Sequence, residues 1–441
     1  MLRSLRKIPS RKSISSLYLQ RKTFLTNDYK CIEAWNSQIS SPILTKVNIH
    51  DFYNILDQNF TSKGVISAID VDIFANAIKD PVYLEELKDL LHKLRLSADT
   101  GNTLESTHHA TIRNFIEFGH IPELIDILKD PLNFGVFLDN YSANILLDKL
   151  ITSADYEAAA KVASLIMLQE DFTNDITCSL CQYACYKYIT NFTPPEPPAV
   201  EEKNEKNKKV EEVKIRIKFL RNPYFDDHFD IKDTLLSAGK TLAWISERSN
   251  DTVNNNLQII GWLVYQKYDK LKSACKHIAE TGSPKIFTET IDLIKKECQN
   301  GEGETKETLE KCISMLDALG TAETPLEESL KITIENAINK AQNNDISQQK
   351  ELFKSWIKIR EEKLEEQTKR LDRAKRTQLI EEKQKLLEEE EQRLWFFEKE
   401  EAIDLQIEEK EKLVEAPSGK TKSSKLSDEE YVPPEILPKR R

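Results

Sequence analysis

"NYSANILLDKLITSADYEAAAKVASLI", residues 140–166, is the stretch whose reading decides the fold. It divides into two amphipathic helices joined at the short break Thr152, Ser153, Ala154, Asp155. Ile145, Leu146 and Leu150 give the first helix an apolar face. Tyr156, Ala159, Val162, Ala163 and Ile166 give the second one another, at three- and four-residue spacing. A small residue at the break and alanines on the second helix let two axes approach closely.

The unit recurs one period upstream. A step of 35 residues carries His109 to Asn144, Gly119 to Ala154, Ile121 to Tyr156, Leu124 to Ala159, Ile127 to Val162 and Phe137 to Phe172. That is the period of the pentatricopeptide class of helical hairpin, one residue longer than the tetratricopeptide unit. "DVDIFANAIKD" with "PVYLEELKDLLHKLRL" forms an earlier, ragged pair, Pro81 falling in the first turn of its second helix, where a missing N–H costs nothing. "CSLCQYACYKYI" begins a later one. The array is therefore degenerate and of low copy number. If the register is right, Ala159 and Val162 lie buried between layers.

Composition agrees with an all-α chain. Its 441 residues include only 11 glycines, and its 31% charged residues concentrate toward the C-terminus. The net charge is −11, yet the first 27 residues carry Arg3, Arg6, Lys7, Arg11, Lys12, Arg21 and Lys22 and no acid; without these seven cations the charge would be −18. So acidic a chain does not bind nucleic acid through a broad basic surface. The leader itself is rich in Arg and Ser, free of acid and studded with Leu and Ile, the pattern of a mitochondrial presequence, with cleavage expected near residues 20–30. Seven scattered cysteines fit reduced thiols, and no run is long and apolar enough to span a membrane.

The organisation expected from these signals is a presequence at 1–27 and a helical-repeat domain at 28–192. A disordered charged linker follows at 193–213, where "TPPEPP" precedes alternating charge. A helical end-piece occupies 214–297, and a linker with short helices 298–344. A long charged helix fills 345–415, and a disordered tail 416–441. In the long helix Leu364 and Leu371 are seven apart, as are Leu379 and Leu386, but the step between the pairs is eight. The broken heptad favours an exposed helix lying on a partner over a stable homodimeric coiled coil.

Motifs for chemistry are weak. "SAGKT" at 237–241 resembles the end of a phosphate-binding loop, but Thr234 stands where that loop needs glycine and no strand precedes it. Cys178, Cys181 and Cys185 share a helix face and read as small packing residues rather than zinc or iron–sulfur ligands. No catalytic or dinucleotide-binding pattern appears, so an enzyme, a cofactor and a resident metal are not expected. The polar positions His109 and Asn144 recur on first helices, which suggests a surface-reading position, with Arg113 and Lys149 nearby. Lys214, Arg216, Lys218 and Arg221 form the densest positive charge outside the leader and the tail.

On the stretch "FGVFLDNYSANILLDKLITSADYEAAAKVASLIMLQEDF", together with the leader and the charged tail, the chain resembles a family of mitochondrial small-subunit ribosomal proteins, that of the pentatricopeptide-containing subunit number twenty-seven. The resemblance covers most of residues 25–290 in element order and fades through the linker. It implies a helical-repeat protein in the lower body of that particle, bound to small-subunit ribosomal RNA (rRNA) and to other mitochondrial small-subunit ribosomal proteins. Pentatricopeptide repeats read RNA from the first helix and the repeat end. Carried over, His109 and Asn144 match the first-helix position and Asp139 and Asn174 the repeat ends, with Ser179 opening a third unit. So few units favour recognition of shape and phosphate over a base code. Two other readings stay open: a free mitochondrial RNA-processing or translation factor that binds other mitochondrial RNAs, and a protein-binding helical scaffold.

Overall fold

The computed structural model describes residues 23–193, 226–280, 285–300, 303–395, 398 and 400–415. Among these the chain is helical throughout; the sole β-type pairing is a bridge between Ile286 and Thr321. A lead-in of α1 (Ile32–Ile39), α2 (Pro42–Thr45) and α3 (Ile49–Lys63) precedes the repeats. Then come the hairpins α4 (Ala68–Ala77) with α5 (Leu84–Leu96), and α6 (Glu105–Phe118) with α7 (Ile121–Lys129) followed by the single turn α8 (Pro131–Phe134). The quoted stretch supplies α9 (Asn140–Ser153) and α10 (Tyr156–Leu168). Next is α11 (Asp175–Asn191), which packs on α12 (Thr234–Ser246) across the segment that links them. The stack ends with α13 (Thr252–Val264), α14 (Tyr268–Glu280), α15 (Thr288–Asn300) and α16 (Glu304–Leu316).

The 35-residue step is visible in the joints between helices. The chain turns out of α6 at Gly119 (φ 84°) and out of α9 at Ala154 (φ 62°), both left-handed. In each, two backbone N–H groups return to the last-turn carbonyls, Gly119 to Ile116 and Ala154 to Ile151. Alanine there carries a steric cost of about 1 kcal/mol that glycine avoids, yet the turn is kept. The following hairpin layers close as the spacing requires: Ala159, Val162 and Ala163 are fully buried, and α10 packs against α7, α9, α11 and α12. Aspartates Asp139 and Asp155 and Asn174 cap the N-termini of α9, α10 and α11, accepting from backbone N–H groups of their first turns.

"SAGKT" lies in the middle of α12, and its glycine serves packing. A Cβ built on Gly239 would meet the Tyr265 backbone nitrogen at 2.9 Å, and one on Gly261 the Ala243 nitrogen at 2.5 Å. The two glycines let α12 and α13 cross backbone to backbone. Lys240 is buried over the Trp244 ring, 4.4 Å from its centroid, and donates to the Asp227 carbonyl. Cys178, Cys181 and Cys185 are likewise buried on α11. Burial pushes the Cys178 thiol up to about 11 and that of Cys185 to about 12.

The long helix departs most from expectation. α17 runs from Leu326 to Leu394, so it begins well before residue 345. One face of its first half is not exposed: Leu326, Leu330, Ile334, Ile338, Phe353 and Trp356 join the main core of the repeats. From residue 364 on, α17 and then α18 (Glu400–Glu415) form a separate unit, nearly every described residue of which is exposed.

Candidate functional site: the first-helix face and its cover

A pentatricopeptide array offers RNA the face made by its first helices, here α4, α6, α9 and α11. In this chain α17 lies along that face. Starting at α15, the Leu326 backbone N–H donates to Glu289. Glu327 accepts from Tyr183 and Lys187 of α11, the latter at 3.1 Å. Lys340 pairs with Asp175 at 3.3 Å. Asp345 accepts from Asn174 at 3.0 Å and from Tyr29 at 3.2 Å. Phe353 and Trp356 then set their rings against His109 of α6, each 5.3 Å between centroids. Arg360 completes the run by binding Asp72 of α4, Nε to Oδ2 at 2.7 Å, with both side chains excluded from water. The helix thus crosses the stack from its last hairpins to its first.

This placement corrects the reading of the polar repeat positions. Sequence spacing puts His109 and Asn144 at the surface; in the structure they are 2% and 0% exposed. His109 shares a hydrogen bond with Ser142 of the next first helix at 2.9 Å, and Asn144 donates to the Tyr29 hydroxyl at 2.9 Å. One unit earlier, Asp72 takes hydrogen bonds from Ser106, Thr107 and Asn76 as well as from Arg360. Polar side chains at the repeat period tie first helix to first helix and then to the covering helix. The physical reason is solvation: with α17 in place the face is interior, and interior polar groups must find partners in the protein.

The remaining candidates are distributed as follows. Arg113 is buried, donates to Glu117 at 2.8 Å and stacks over Trp35 at 4.8 Å. Lys149 is exposed and donates to the Ile116 carbonyl. Desolvation and the neighbouring Lys30 hold its pKa below that of a free lysine. His109, Arg113 and Lys149 do meet, along a groove of about 530 Å³ between α6, α9 and the segment Thr23–Ile32. Aliphatic side chains, Leu25, Ile112 and Ile145 among them, form part of its walls beside charged and hydroxyl-bearing ones. Asp139 is an exposed cap, and Asn174 a cap bound to Asp345. Lys214, Arg216, Lys218 and Arg221 lie outside the described residues, as do the presequence through residue 22 and the linker at 194–213. Residues from Thr23 onward belong to the fold: the Phe24 N–H donates to Asp148 at 2.9 Å, and Tyr29 is fully buried.

Sequence reasoning missed Asp72, Tyr29, Phe353, Trp356 and Arg360. A signal was present in "FKSWIKIR", residues 353–360, whose aromatic pair breaks an otherwise charged helix. A second was "LEESLKITIENAI", residues 326–338, with apolar residues at three- and four-residue steps.

Burial makes His109 a titrating liability. Its pKa is lowered from 6.5 to about 4, chiefly by desolvation, which the Asp139 charge opposes and the Arg113 charge assists. Between those values the unfolded chain takes up a proton that the folded chain refuses, so stability present above about pH 6.5 is lost as pH falls toward 4. By pH 5 the loss is on the order of 2 kcal/mol. Denaturant midpoints at pH 7 and pH 5 should therefore differ more for the parent than for His109→Gln. Equal pH dependence of the two proteins would show that His109 is not the group concerned.

Fold and site together define a helical-repeat scaffold protein whose reading face is filled by its own long helix; among the described residues no helix is long and apolar enough to cross a membrane, and no group of three potential metal ligands converges. The sequence matches the family described as mitochondrial 28S ribosomal protein S27 over residues 1–386, most of its length. The chain belongs to that family of mitochondrial small-subunit ribosomal proteins, which places it in the mitochondrial ribosome.

Proposed function

We propose that the chain is a non-catalytic structural component of the small subunit that holds rRNA and neighbouring ribosomal proteins in place to support mitochondrial translation. Family membership supplies the particle, and one structural observation carries the mode of action: α17 occupies the first-helix face along α4, α6 and α11. A strand of RNA laid there to be read base by base would have to displace buried Phe353, Trp356 and Arg360. Contact with rRNA therefore falls to exposed basic side chains such as Lys149 and to the basic positions Lys214, Arg216, Lys218 and Arg221, binding phosphate and shape. A free base-reading RNA factor is disfavoured on the same ground.

The test is sedimentation of a mitochondrial lysate on a sucrose gradient with blotting for this chain. It should peak with the small subunit and shift to lighter fractions when magnesium is chelated and the particle unfolds. A peak at the position of the free protein in intact lysate would refute the reading.

A further inference from the structure

The part of α17 beyond residue 363 carries a second feature that the repeat-side reading does not use. Between Gln367 and Ile380 stand Lys369, Arg370, Arg373, Lys375 and Arg376, with Asp372 the only acid. The chain as a whole has net charge −11, so this is an island of opposite sign. All five basic residues are exposed on continuous helix. At 3.6 residues per turn, Lys369, Arg373, Arg376 and Lys383 fall within an arc of about 80°, with Arg370 beside it. The island has ends: Glu365 and Glu366 precede it, Glu381 and Glu382 stand just before Lys383 but off the arc, and Glu388 to Glu391 follow. Glu365 pairs with Lys369 at 2.7 Å and its carboxyl is held below the usual range by that contact.

We propose that this face, Lys369 to Lys383, lies along an rRNA phosphate backbone. The partner's chemistry follows from the surface. Arg373 and Arg376 stand within it with Arg370 beside it, and the planar fork of arginine suits phosphate oxygens. Lys369, Arg373 and Arg376, four and three residues apart, stand about 6 and 4.5 Å apart along the axis, close to the spacing of phosphates along a strand. The face carries no aromatic residue on which a base could stack, so contact is to backbone and independent of sequence. The flanking acids limit the footprint to about four turns, roughly 21 Å of helix. This inference rests on the ribosomal reading above but names a surface which that reading can do without.

The experiment uses the full chain and the triple variant Lys369→Glu, Arg373→Glu, Arg376→Glu, all at exposed positions, so the fold is checked by helical circular dichroism and melting and should be unchanged. Binding to deproteinised small-subunit rRNA is measured between about 50 and 200 mM salt. The variant should bind at least tenfold more weakly at the low end, and its log–log salt slope should be shallower by about two to three. In assembled small subunits, photo-crosslinks from rRNA should map to the peptide spanning residues 369–383 in the parent. Unchanged affinity and slope, or crosslinks from that peptide to protein alone, would overturn the inference while leaving co-sedimentation with the small subunit, and hence the ribosomal reading, intact. Failure of the parent to co-sediment would instead strike the ribosomal reading itself.

Discussion

Arg360→Met should destabilise the repeat domain by about 3–5 kcal/mol, because it strands a carboxylate in a place water cannot reach. Asp72 is fully buried and takes three protein hydrogen bonds besides the ion pair, but none of those donors carries a charge. The methionine fills most of the space the guanidinium leaves, so a cavity contributes little and the loss measures the uncompensated charge. A second consequence is local. The Arg360 contact is the last of the series that holds α17 on the stack, so its removal should free the residues around it first. Limited proteolysis should then cut near Arg360 in the variant under conditions where the parent is resistant. Asp72→Asn combined with Arg360→Met should recover part of the stability, since the charge is gone from both sides. An Arg360→Met protein that melts with the parent would mean the pair is solvated.

Ala159→Glu should cost about as much, on the order of 4 kcal/mol, by a different route. Ala159 is fully buried on α10, where four other helices converge, so a carboxylate placed there is stripped of water. The larger side chain also forces the layers apart, which adds strain to desolvation. Ala158→Glu, one residue away and half-buried, serves as the register control and should cost far less. Denaturant titration of the two variants side by side checks the assignment. Similar midpoints for both would mean that α10 is rotated about its axis and Ala159 does not face the interior.

These expectations separate what the sequence could say from what it could not. The hairpin, its period and its inner face were legible in residues 105–168, because burial on a helix leaves a three- and four-residue apolar rhythm that composition cannot disguise. Gly119 and Ala154 marked the joints for the same local reason. The polar positions were misread because a periodic His or Asn says only that something polar is wanted there. Whether water, RNA or another part of the chain supplies the partner depends on residues more than 200 positions away, as in Asp72 with Arg360. The covering helix was hidden by averaging: its exposed half is so charged that residues 345 to 356 read as part of a solvated rod, while Leu326 to Asn344 read as a linker with short helices. The groove at Arg113 and Lys149 was partly legible, since its basic residues were named, but the aliphatic part of its walls comes from three separate segments and has no signature in any one of them.

The order of the chain adds a matter of timing. Synthesis runs from the N-terminus, and domains form as their residues emerge. The residues of α4 to α16 are made before those of α17, so until α17 docks the first-helix face lacks Phe353, Trp356 and Arg360, the cover of His109 and Asp72. A polypeptide ending before Leu326 would stay in that state permanently. It would carry a long apolar furrow with an unpaired acid at one end, soluble only while a chaperone or a foreign helix lay in the place of the missing one.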